Sequence, residues 1–178
     1  MRAGSPSPSA SLEQTYIPQS KLMGETMDIL PEILNKVLTL EGKWEAKAHM
    51  QMGDKSYNFK YFMNFRKIAD GNGLYMEENA EIPGVMRLDG GNIIGYDPFD
   101  GKLHWFSVDN LGTTHDHIAE LVEENHIQLI HESEREGKKF RENIDIKWIS
   151  DKEVFIKLVA TLNDNVEYIL EGTFIRKS

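Results

Sequence analysis

The spacing of apolar residues changes at Gly42. Before it, Met23, Met27, Leu30, Leu34 and Val37 recur at three or four positions, which predicts an amphipathic helix over residues 22–40. Pro31 falls inside that stretch, so either the helix starts near Leu30 with proline in its first turn or a preceding turn is kinked there. After Gly42 the period is two. Trp44, Ala46, Ala48, Met50 and Met52 share one face of a strand whose other face carries Glu45, Lys47, His49 and Gln51. Beyond a turn at Gly53-Asp54, Tyr57, Phe59, Tyr61, Met63 and Phe65 repeat the scheme, with Phe62 the apolar exception on the polar side.

The alternation continues between turn signals at Asp70-Gly71-Asn72-Gly73, Asp89-Gly90-Gly91, Asp97-Pro98-Phe99-Asp100-Gly101, Asn110-Leu111-Gly112, Glu136-Gly137 and Asn163-Asp164-Asn165. The last four strands read as 126–134, 138–148, 153–162 and 166–176, and the acidic stretch before them, 117–124, reads as the hairpin partner of the first. About ten strands result. Tight turns make consecutive strands antiparallel neighbours, and a long meander with one apolar face removes its edges by curling closed. The expected fold is therefore all-β, an up-and-down antiparallel barrel over 41–178 with one N-terminal helix capping one opening.

Residues 1–21 are rich in Ser and Pro and have no apolar core segment, which fits a disordered leader or the remnant of a processed precursor better than an intact signal peptide. The chain carries 29 acidic against 20 basic residues, a net charge of −9, and no strong basic cluster, so nucleic acid is not an expected partner. No apolar run is long enough for a membrane span. The absence of cysteine removes disulfides, thiolate nucleophiles and thiolate metal sites; it fits a cytoplasmic protein and is also compatible with a processed periplasmic form.

Gly42-Lys43-Trp44 after a short helix resembles the Gly-x-Trp signature of the calycins, which include lipocalins, fatty-acid-binding proteins and nitrobindin-like haem proteins. That resemblance implies that Trp44 lies across the closed end of the barrel and that Arg176, ending the last strand in Gly172-Thr173-Phe174-Ile175-Arg176, packs on its indole face. Gly42 lets the chain turn from helix into strand without a side-chain clash. Gly95-Tyr96-Asp97, Lys102-Leu103-His104-Trp105 and Gly137-Lys138-Lys139-Phe140-Arg141 extend the likeness to uncharacterised bacterial lipocalin-like proteins. The nitrobindin pattern continues with glycines where this chain has Glu45-Ala46-Lys47, which speaks against haem.

Candidate chemistry is sparse. His115-Asp116-His117 puts two imidazoles on one strand face, a start for zinc or copper if His126 or Glu124 supplied a third ligand, but a solvated edge or turn is the expectation. His131 shares the face of Ile127 and Leu129, and could be a hydrogen-bonded core residue, a haem or metal ligand or an anchor for a carboxylate. Glu142 shares the face of Phe140, Ile144, Ile146 and Trp148, so it needs a partner such as Tyr57, Tyr61, Tyr168 or His131. No nucleophile elbow, phosphate loop or dinucleotide fingerprint is present.

The reading favours a binding protein over an enzyme. A small hydrophobic or amphipathic ligand would be lined by Tyr57, Phe59, Tyr61, Met63, Trp105, His131, Glu142 and Tyr168. No cofactor is specified by the sequence. The rival readings are a haem- or metal-dependent protein or enzyme using the same cavity through His131, and a filled structural barrel whose helix could support a homodimer.

Overall fold

A computed structural model describes residues 31–178. The expected leader over 1–21 and the part of the expected helix before Pro31 lie outside the described residues. Helix α1 is short, Glu32–Leu38, with Pro31 as its N-cap residue. Pro31 has no amide proton to lose there. Ten strands follow in order: β1 (Gly42–Met52), β2 (Lys55–Ile68), β3 (Gly73–Ile82), β4 (Met86–Asp97), β5 (Lys102–Asp109), β6 (Thr114–Glu123), β7 (His126–Arg135), β8 (Lys138–Ser150), β9 (Glu153–Leu162) and β10 (Asn165–Lys177). Each pairs antiparallel with its sequence neighbours, and β1 pairs with β10 to close the barrel.

The hairpin turns alternate between the barrel's two ends. Those after β2, β4, β6 and β8 lie at the end occupied by α1, and those after β1, β3, β5, β7 and β9 at the other. Glu136-Gly137 and Asn163-Asp164 hold positive φ at both turn positions, the geometry whose twist matches flanking strands. One expected turn is absent. Gly90 and Gly91 sit inside β4, and the chain reverses instead between β3 and β4 at residues 83–85. Both glycines make room for inward or stacked neighbours: a β-carbon on Gly90 would stand 2.9 Å from Glu78 Oε1, and one on Gly91 3.1 Å from the Tyr75 hydroxyl. The Gly90-Gly91 pair is thus a close approach within a strand, not a turn.

At the helix end, Trp44 and Arg176 face each other across β1 and β10, with the guanidinium carbon 4.4 Å from the indole centre. Such a contact contributes about 0.5–2 kcal/mol. The Trp44 Nε1 proton goes to the Leu40 carbonyl at 2.7 Å, while Arg176 donates to the carbonyls of Thr39, Glu41 and Asp151. Gly42 has φ +121°, and a β-carbon there would lie 3.2 Å from Arg176 Nη1, so both its backbone angle and its neighbour favour glycine. Lys36 reaches Asn125 at 2.6 Å, and Trp148 reaches the Thr39 hydroxyl at 3.0 Å, fixing α1 to two further hairpins. Trp148 therefore serves the helix end and does not enclose Glu142.

Arg176→Ala removes three charge-assisted hydrogen bonds to backbone carbonyls and uncovers the face of a buried indole. It is expected to lower stability by about 1–3 kcal/mol in urea denaturation while the strand circular-dichroism signal persists. An unchanged urea midpoint would show that the helix end closes without it.

Candidate functional site

Strand alternation puts small residues opposite large ones on the inner face. Ala46 of β1 stands between Tyr61 of β2 and Phe174 of β10, and over it those two rings meet edge to face, 5.5 Å apart. Farther from the helix the interior is hollow: a cavity of about 370 Å³ is lined on one side by Met50, Met63, Met76, Ile156, Leu158 and Leu170. Met52 and Leu111 belong to the same lining and are 42% and 56% exposed, so the space reaches solvent at the end away from α1. A broader outer-wall depression of about 590 Å³, around Lys60, Phe62, Asn79 and Arg87, contains none of the buried polar groups described next.

Glu142 on β8 is the centre of the polar wall. Its side chain is 6% exposed, and Oε2 accepts from His115 Nδ1 at 2.6 Å and His117 Nε2 at 3.1 Å, while Oε1 accepts from the Tyr168 hydroxyl at 2.6 Å. Burial alone pushes this carboxyl up, but the hydrogen bonds from His115, His117 and Tyr168 overturn that effect and hold it far below the usual carboxylate range. Burial and the adjacent carboxylate push the Tyr168 phenol well above its ordinary value. Arg135 Nη2 lies 2.9 Å from His115 Nε2, and since a guanidinium can only donate, His115 accepts there and carries its proton on Nδ1, facing Glu142.

A second network stands on the neighbouring strands. Tyr61 donates to Glu78 Oε2, Asn92 Nδ2 donates to Glu78 Oε1 at 3.0 Å, and Trp105 Nε1 donates to Asn92 Oδ1 at 3.0 Å. Burial raises the Glu78 carboxyl, with Tyr61 and Asn92 only partly offsetting it. Burial, then Glu78 itself, pushes the Tyr61 phenol well up. The cavity wall thus holds two carboxyl groups displaced in opposite directions.

Of the residues expected to line a ligand site, Tyr61, Met63, Trp105, Glu142 and Tyr168 line this cavity. Tyr57 and Phe59 are outside its lining, and so is His131, whose ring stacks on His115 at 4.1 Å and whose Nδ1 meets the Asp116 carbonyl at 3.0 Å. Burial lowers the His131 pKa. The expectation that His115 and His117 are surface groups is overturned: they are 8% and 4% exposed. Outward Ile118 and Asp116 disguised the parity of β6, which turns both histidines and Ala119 inward. Glu78, Asn92 and Arg135 were missed; period-two counting from Leu74 and Met76 would have flagged Glu78 as an acid on an apolar face.

Neither His126 nor Glu124 joins the histidine pair, since His126 Nε2 bonds Asp145 at 2.7 Å. His115, His117 and Glu142 do offer three potential metal-ligand atoms within 4.8 Å of one another. Their surroundings are arranged otherwise. A metal-bound histidine normally donates its second N–H to an acceptor, whereas His115 has the Arg135 guanidinium at that nitrogen and His117 has no partner there among the described residues. The geometry suits a hydrogen-bonded carboxylate better than a resident cation.

The two glutamates predict opposite pH effects. Glu142 titrates lower in the folded chain, so its contribution is complete above the ordinary value of 4.5 and fades as pH falls below it. Glu78 titrates higher when folded, so its stabilising contribution exists below that value and is lost as pH rises through the raised one. Between about pH 4 and pH 7, denaturant titrations should show Glu142→Gln losing ground against the unaltered chain and Glu78→Gln gaining. Parallel curves for both variants would contradict these assignments.

No helix among the described residues is long and apolar enough to cross a membrane. No curated protein matches the chain in sequence. The fold is similar to the crystal structure of Rv2717c from M. tuberculosis, with a TM-score of 0.61 and 12% identity over 85% of this chain and 100% of that one. It is also similar to the S-type phycobiliprotein lyase CPES from Guillardia theta, with a TM-score of 0.53 and 8% identity over 83% of this chain and 92% of that one. These likenesses show a lipocalin-like barrel fold. The family described as "Protein of unknown function (DUF1579)" matches residues 34–167, and the chain belongs to that family.

Proposed function

We propose that this chain binds one small amphipathic molecule inside its barrel. The observation that carries the reading is the hollow interior of about 370 Å³, apolar on its methionine and leucine side and polar at Glu142 and Glu78. A barrel whose interior was purely structural would fill that space with side chains, because native cores pack to crystal-like density. The volume falls in the lower range of ordinary small-molecule sites, which combine an apolar lining with a few placed polar groups. Methionines suit such a wall, since their unbranched side chains adapt to an irregular guest. The likeness to a phycobiliprotein lyase supports this only by fold analogy.

The exposed Met52 and Leu111 mark the way in, at the end opposite α1. Ligand orientation follows from the walls: the apolar body lies on Met63, Met76 and Leu158, and the polar end meets the glutamate networks. Nile red, a neutral fluorescent lipophile, should bind the full chain with one-to-one stoichiometry and a blue-shifted emission. Leu158→Trp, which fills the cavity, should weaken that binding at least about tenfold, equivalent to about 1.4 kcal/mol, with little loss of thermal stability. Undiminished binding to a folded Leu158→Trp protein would move the site off the cavity, and no binding to either protein would contradict the reading.

A further inference from the structure

The cavity wall is chemically one-sided. Among the described residues that line it, the carboxylates of Glu78, Asp109 and Glu142 face the single guanidinium of Arg135, and no lysine is present. That guanidinium is already committed. It donates to His115 Nε2 and lies 3.3 Å from the centre of the Phe140 ring, and His115 passes its Nδ1 proton toward Glu142, so Arg135 and Glu142 form one charge-balanced relay. Asp109 is also committed, accepting from the Thr113 hydroxyl and from the backbone N–H groups of Leu111 and Thr113.

One carboxylate in the lining is left without a counter-charge. Glu78 is held by Tyr61 and Asn92, both neutral, and has no ion-pair partner among the described residues. His117, its side chain 5% exposed, spends Nε2 on Glu142 and leaves Nδ1 buried with no hydrogen-bond partner among the described residues. In the neutral ring that nitrogen is a bare lone pair, and a buried acceptor without a donor costs about 1–3 kcal/mol. His117 lies within electrostatic reach of Glu78. Glu78 lines the cavity, while His117 Nδ1 is enclosed within its wall.

We propose that the ligand is a cationic amphiphile, an apolar amine whose ammonium is held by Glu78. This rests on the cavity being a ligand site. A primary ammonium brings three donors and the positive charge that the Glu78 carboxylate lacks. A carboxylate ligand would meet Glu78 and Glu142 as like charges. A neutral alcohol would satisfy one acceptor and leave Glu78 without a counter-charge.

The test is displacement of Nile red from the full chain by decylamine, decanol and decanoate, which share one apolar body and differ in head group. Decylamine should displace the dye at concentrations at least about tenfold below either of the others, and Glu78→Gln should collapse that ratio. Equal potency of the three, a preference for decanoate, dye that none of them displaces, or an amine preference that survives in Glu78→Gln would each overturn the amine assignment. In all those cases the bound dye leaves amphiphile binding standing. Failure of the chain to bind the dye or any of the three compounds would overturn both.

Discussion

A carboxylate enclosed in a barrel can stay charged only if the surrounding strands aim protons at it, because burying an unpaired charge is prohibitively unfavourable. Glu142 meets that requirement with donors drawn from β6 and β10, and the remaining features of the site follow from it. His115 must keep its proton on Nδ1, which obliges its other nitrogen to accept, and Arg135 from β7 supplies the donor. His117 must turn Nε2 to the same oxygen, which leaves its Nδ1 enclosed and without a partner among the described residues. One ionised group thereby fixes two tautomers.

The barrel separates stability from binding by end. Around α1, aromatic burial and carbonyl-seeking donors tie the first and last strands to the helix and to the hairpins beside it, with Trp44 and Arg176 at the junction. Toward the other end the inner face carries small or flexible side chains and the two glutamate networks, and the core gives way to a cavity. A well-packed floor under a loosely filled mouth allows the mouth to exchange its contents without unfolding the whole.

Much of the architecture is legible in the sequence because a strand with one buried face writes its period directly into the chain. The alternation in β1 and β2, the hairpin spacing after residue 126 and the Gly42-Trp44 junction all carry that signal. Glu142 was legible for the same reason, as an acid among Phe140, Ile144 and Ile146. The rest of the site was hidden by particular residues. Gly90-Gly91 imitates a turn although it serves to clear space beside Glu78 and Tyr75, and the misplaced turn concealed Asn92 and the parity of Glu78. The His115-Asp116-His117 triplet imitates a solvated edge, because its burial depends on a glutamate 25 residues or more away in sequence. Pairings across strands are tertiary facts, and no local period encodes them.

Native mass spectrometry of the purified full chain, beside its denatured mass and with organic extraction of whatever dissociates, tests the central claim most directly. The account predicts a one-to-one complex, either as purified or after equilibration with a mixed lipid and amine extract, whose released component is a small amphiphile. A chain that keeps its bare mass in every charge state under both conditions would contradict a ligand-binding interior and leave the barrel a structural one.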